Sequence, residues 1–260
     1  MTEAEWLEYV HPNRMLEYLK RRRKDRKLRL LAAALCRRIG NLMTPERCGR
    51  LLSEAQRFGV FYGEFRPGSP DCLLRAIEDG EQCADELISV EALAPACELT
   101  DRLASVGGYY FDCYDPSWGA TDHDLISTCE AAMAVHGATK VHIDLEFVAT
   151  YASRAIYRFG GGAESNQGDP SEELVQCHLI RDLFPFTLRN LPKLKKRWRT
   201  DTTTAIARQM YDSRDFGPMP ILADALQDAG CDNGDILAHC RSDGPHVRGC
   251  WAVDLVLGNE

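Results

Sequence analysis

The chain has 260 residues, 45% of them hydrophobic and 27% charged, with a net charge of −8. That composition suits a globular chain with a sizeable core. No apolar run approaches the roughly 20 residues that cross a membrane, and the acidic start "MTEAEWLEYV" lacks the basic-then-apolar order of a signal peptide. A cytoplasmic location without a membrane partner is therefore expected. The eleven cysteines are odd in number, fall mostly within helical patterns and never form C-x2-C. They read as reduced thiols filling apolar gaps, not as disulfides, a zinc ribbon or a redox pair.

Taken in chain order, the pattern is helical. "EAEWLEYVHPNRMLEYLKRRR" reads as a short helix, a break at Pro12 and a second helix with Asn13 as its N-cap. "DRKLRLLAAALCRRIGNL" places Leu28, Leu31, Ala32, Leu35 and Ile39 near the 3.6-residue period and stops at Gly40. "TPERCGRLLSEAQRFGVFYG" starts with Thr44 as N-cap and Pro45 at the first helical position. Helices are expected near 71–88 and 90–105. The aromatic, acidic stretch "VGGYYFDCYDPSWGATDHD" reads as a long ordered loop ending where Asp122 begins another helix.

At 141–148 two patterns compete. Val141, Ile143, Leu145 and Phe147 alternate as a strand would, while Val141, Leu145, Val148, Ala152, Ile156 and Phe159 share one helical face. The second pattern is longer, and helix is preferred. "GGGAESNQGDPS" provides the best linker, which divides the chain into an N-terminal helical region 1–160, a Gly-rich linker 161–171 and a C-terminal helical region 172–260. The fold class expected is all-α, an irregular helical array with a C-terminal helical cap.

Charge is segregated. Residues 1–50 hold 13 basic against 6 acidic side chains, residues 51–185 hold 8 against 23, and residues 186–200 hold 6 against none. Arg21, Arg22, Arg23 and Lys24, with Lys195, Lys196, Arg197 and Arg199, form a candidate basic binding patch that could take a nucleic-acid backbone. Overall acidity favours the plainer reading, in which the basic clusters pair with the acidic body.

The stretch "CDNGDILAHCRSDGPHVRGC" (231–250) gathers three cysteines and two histidines. The best tetrad is Cys231, His239, His246 and Cys250, a possible zinc set, yet C-x7-H-x6-H-x3-C matches no common zinc module. Each residue also has a role without metal. Asp232 can cap a helix, with Asp235 completing a weak capping box and Cys231 stapling against Ile236. Pro245 can open a final helix that places Cys250 in the core beside Trp251. The stretch therefore reads as a helical closure with no cofactor, zinc being the alternative. Asp254 lies amid apolar residues and needs a partner, which Arg241, Arg248 or a histidine could be. Asp122, His123 and Asp124 are a weaker candidate for metal-assisted hydrolysis, and no phosphate-loop or nucleophile motif is present.

The N-terminal "MTEAEWLEYVHPNRMLEYL…DRKLRLLAAALCRRI" and C-terminal "MPILADALQDAGCDNGDILAHCRSDGPHVRGCWAVDLVLGNE" segments resemble the two ends of a large paralogous family of uncharacterised planctomycete bacterial proteins. The resemblance implies a bacterial cytoplasmic protein of helical build and brings no catalytic residue. The leading expectation is a non-enzymatic helical module that binds another protein. The alternatives are a zinc-stabilised or nucleic-acid-associated protein, and an enzyme with a site built from the 107–124 loop.

Overall fold

The computed structural model describes residues 1–20, 25–57, 72–112, 123–162, 167–186 and 194–259. They are about 74% helical and contain no strand, the all-α fold that the periodicity predicts. The chain divides into two compact units, Val10–Gln176 and Met1–Tyr9 with Cys177–Glu260. These units do not follow the expected 1–160 and 172–260 regions. The division falls inside the helix Pro170–Leu183, and the first nine residues belong with the C-terminal part.

Helix α1 (Glu3–Glu8) begins with a complete capping box between Thr2 and Glu5. The larger unit then runs through α2 (Pro12–Lys20), α3 (Asp25–Arg38), α4 (Pro45–Arg57), α5 (Cys72–Ala84), α6 (Ala94–Asp112), α7 (His123–Thr139) and α8 (Leu145–Phe159). Pro12, not Asn13, takes the first position of α2, where its missing N–H costs nothing. Thr44 accepts from the Arg47 N–H at the start of α4, as expected.

Helix α6 reaches Asp112, so residues 106–112 continue a helix where a loop is expected. The aromatic run there is compatible with helix, and the paired glycines are not enough to end it. Helix α8 begins only at Leu145, because Asp144 caps it by accepting from the Phe147 N–H, and residues 141–144 are neither strand nor helix.

Helix α7 is the centre of this unit. Fourteen of its seventeen residues are buried, so it has no polar face, and it packs against α3, α4, α5, α6 and α8. Its close approach to α8 requires Gly137, where a Cβ would lie 2.9 Å from the Phe147 ring. Three arginines of the basic N-terminal region have acidic partners here. Arg37 grips buried Glu81 through both nitrogens (2.6 and 3.0 Å), Arg38 grips buried Glu172 (2.8 Å), and Arg26 meets Asp85 (3.3 Å). Arg21, Arg22, Arg23 and Lys24 lie outside the described residues.

The second unit contains α1, the end of α9 (Pro170–Leu183), α10 (Asp201–Ser213), α11 (Met219–Asp228), α12 (Gly234–Cys240) and α13 (Trp251–Leu257). Its core gathers Trp198, Met210, Met219, Leu222, Leu226, Ile236, Cys240, Trp251 and Leu255. Trp198 donates its indole N–H to the Gly230 carbonyl (2.8 Å), which satisfies the one polar atom of a buried ring. Arg181 donates to the Trp6 and Tyr9 carbonyls and holds α1 to this unit.

Two expectations about residues 231–257 are corrected. The cap of α12 is Asn233, whose side chain accepts from the Ile236 N–H (3.0 Å), not Asp232, so no capping box with Asp235 forms. Asn serves as well as Asp at an N-cap, and Asp232 is left to bridge Lys195 (3.0 Å) on the surface. The final helix starts at Trp251, not Pro245. Residues 242–250 form an irregular strap, with Gly249 at φ +90°, a conformation closed to helix.

Candidate metal centre

Four side chains from three parts of the second unit converge. Asp182 projects from the last turn of α9, His239 from the last turn of α12, and His246 and Cys250 from the strap. One potential ligand atom from each lies within 4.8 Å of the other three. His246 Nδ1 stands 2.7 Å from Asp182 Oδ1, His239 Nε2 stands 3.2 Å from the same oxygen and 3.2 Å from Cys250 Sγ, and His246 Nδ1 is 3.9 Å from that sulfur. Three of the four residues singled out in the sequence are thus brought together. Cys231 is not among them. It is buried at the C-terminal end of α11, its N–H donating to the Leu226 carbonyl.

The local geometry explains the convergence. Asp182 Oδ2 accepts from the Val247 backbone N–H (3.0 Å), which fixes the strap against the end of α9. Cys250 Sγ follows, because the Cys250 N–H closes a turn on the Val247 carbonyl (2.9 Å). His239 is held between two rings, 4.7 Å from Trp251 and 4.9 Å edge-on from His246. Ser242 donates to the His239 carbonyl (2.8 Å) and lies 3.5 Å from His246 Nε2, the nitrogen facing away from the cluster.

The electrostatics are those of a dry site. Asp182 and Cys250 are almost wholly buried. Burial disfavours the Asp182 carboxylate, but the hydrogen bonds from His239 and His246 outweigh it and hold the carboxyl below its ordinary range. Burial, then the Asp182 charge, pushes the Cys250 thiol well above its usual range, and burial likewise carries neighbouring Cys240 to about 12. Neither sulfur is a ready nucleophile.

The arrangement is not a cysteine–histidine–aspartate relay. In such a relay the base uses one ring nitrogen toward the nucleophile and the other toward the carboxylate. Here His239 presents the same Nε2 to both Asp182 and Cys250, and His246 the same Nδ1. The four ligand atoms lie within 4.8 Å of one another. A tetrahedral zinc site, with bonds of about 2.0–2.3 Å, has edges of about 3.3–3.8 Å; three of the distances above, 2.7 to 3.2 Å, are shorter and the fourth, 3.9 Å, is slightly longer, so an ion would spread the contacts of His239 and His246 by a few tenths of an ångström.

The other candidates do not converge. Lys195 bridges Asp232 and lies over the Trp198 ring (4.6 Å), and Arg199 donates to the Leu255 carbonyl at the end of α13, so two of the four described basic-patch residues have structural partners. Lys196 and Arg197 are exposed. Asp124 pairs with Arg47 (2.7 Å), Asp122 lies outside the described residues, and most of the 107–124 segment does also. Asp254 is buried in α13, whereas Arg241 engages Asp224 and Gln227. Asp182 is the member that sequence reading misses. It lies 57 residues before His239, beyond any local spacing rule. No family model, curated protein or solved structure matches the chain.

Proposed function

We propose that the protein is a non-enzymatic helical module whose C-terminal unit is built around a structural zinc ion held by Asp182 Oδ1, His239 Nε2, His246 Nδ1 and Cys250 Sγ. The approach of four potential ligand atoms to within 4.8 Å of one another, two of them on buried residues, carries this reading. One carboxylate and one thiolate balance the two charges of the ion, so the loaded site adds no net charge to the core. Four protein ligands complete a tetrahedron and leave no position for water or substrate, which suits a structural rather than a catalytic metal. Ser242 is placed to accept from the outward nitrogen of His246 once its Nδ1 faces the ion. A mixed set with one soft sulfur, two imidazoles and one carboxylate favours zinc or cobalt over magnesium or calcium. The reading includes membership in the planctomycete family that both end segments resemble, which brings no activity with it.

Elemental analysis of the purified protein should find one zinc per chain. Cobalt loading should give a sulfur-to-metal charge-transfer band that disappears in Cys250→Ala. Full-length protein that takes up neither metal after reduction would overturn the proposal.

A further inference from the structure

The chain positions of the four ligands suggest what the ion controls. Two ligands sit on regular helices, Asp182 on α9 and His239 on α12. The other two belong to the strap 242–250, which has no regular structure and whose first residues, 242–244, are exposed. Val247 and His246 both attach to Asp182, and Cys250 attaches to His239. The cluster is therefore one of the strap's anchors. Beyond it, Ser242 bonds the His239 carbonyl and the Arg248 guanidinium lies over the Tyr211 ring (4.4 Å).

We propose that zinc at this centre is a releasable fastener for the strap: direct contacts with Asp182 hold it without the ion, the ion locks it, and removal of the ion raises the population of a locally open form without unfolding of the unit. This rests on the metal reading above. A segment with little regular hydrogen bonding belongs to the low-stability end of a fold, where local opening precedes global unfolding. Met210, Leu222 and Leu255, on α10, α11 and α13, belong to a core that also takes in Cys250 and Trp251, so the opening is confined to residues 242–248 and leaves Cys250 seated.

The sequence supplies a probe. Arg241–Ser242 is a trypsin site at the exposed entry to the strap, and Arg208, exposed on helix α10 of the same unit, is an internal control. Full-length protein is compared zinc-loaded and after metal stripping, with zinc measured in each sample. Under brief digestion the cleavage rate follows the population of the open form. Cleavage after Arg241 should rise at least about tenfold on stripping, with cleavage after Arg208 unchanged, and zinc should restore protection to the wild type but not to Cys250→Ala. Stoichiometric zinc with equal cleavage after Arg241 in both states would overturn the fastener and leave the metal site standing. Parallel acceleration at Arg208 would show collapse of the unit, and would also overturn it. Failure to bind zinc at all would remove the metal reading, and the fastener with it.

Discussion

Asp182→Asn is the sharpest probe of the second unit. The carboxylate accepts from His246 Nδ1 (2.7 Å), His239 Nε2 (3.2 Å) and the Val247 N–H (3.0 Å) while almost wholly buried. The amide has nearly the same shape but only one acceptor oxygen, and its NH2 must face one of these donors. A buried donor left unsatisfied costs about 1–3 kcal/mol. Loss of charge from the remaining bonds costs about 1 kcal/mol each, the gap between charged and neutral hydrogen bonds. The total, about 3–5 kcal/mol, matches the cost of removing one partner of a buried ion pair. The assay is urea unfolding followed by fluorescence of Trp198 and Trp251, in stripped protein and with zinc. The wild type should gain a further 2.7 kcal/mol, roughly, when zinc stands at 100 times its dissociation constant. The variant should gain much less. A deficit below about 1 kcal/mol in stripped protein would refute the weight placed on this carboxylate, and a deficit identical with and without zinc would refute its role as a ligand.

Three further outcomes are expected. Trp251→Ala should cost about 3–5 kcal/mol, the range for large aromatic core truncations, since the ring is 7% exposed and packs on His239; thermal unfolding checks it. Thiol titration of the native protein should find few reactive groups and about eleven after denaturation, because of the nine cysteines whose side chains are described, all free, only Cys97 is not buried. Glu130, fully buried in α7, has its carboxyl raised by burial from 4.5 to about 7, against the opposing pull of Arg154 and Arg158. Between those values the native state holds a proton that the unfolded chain has released, so stability is highest below the lower one and falls as pH rises through about 7. Urea midpoints taken across that window should slope downward in the wild type and flatten in Glu130→Gln.

The helices were legible because their signals are local. Stripes such as Leu28, Leu31, Leu35 and caps such as Thr44 before Pro45 need only neighbouring residues to act. Three ligands of the candidate centre were found for a similar reason, being within twelve residues of one another. Asp182 needed the tertiary fold. The argument that singles out Asp254, a carboxylate among apolar residues, applies equally to Asp182 before Leu183 and Phe184, but it names no partner. The late start of α13 was hidden because Pro245 is a good first helical residue, whereas the attachment of His246 and Val247 to Asp182 and the positive φ of Gly249 keep the chain out of helix there. The division at Gln176 also has no compositional mark, since it falls in mid-helix.

The placement of α1 has a consequence for biosynthesis. Trp6 is made well before the partners that bury it: its ring meets Phe186 (6.3 Å) and its carbonyl waits for Arg181, 175 residues on. At ribosomal speeds of about 5–20 residues per second, the delay is roughly ten to thirty seconds. The continuous unit Val10–Gln176 emerges whole during that interval and can fold while α1 waits for its partners. During that interval the nascent chain carries a tryptophan whose native partners are not yet made, a natural handle for a chaperone and a point at which neighbouring polysomal chains can exchange partners.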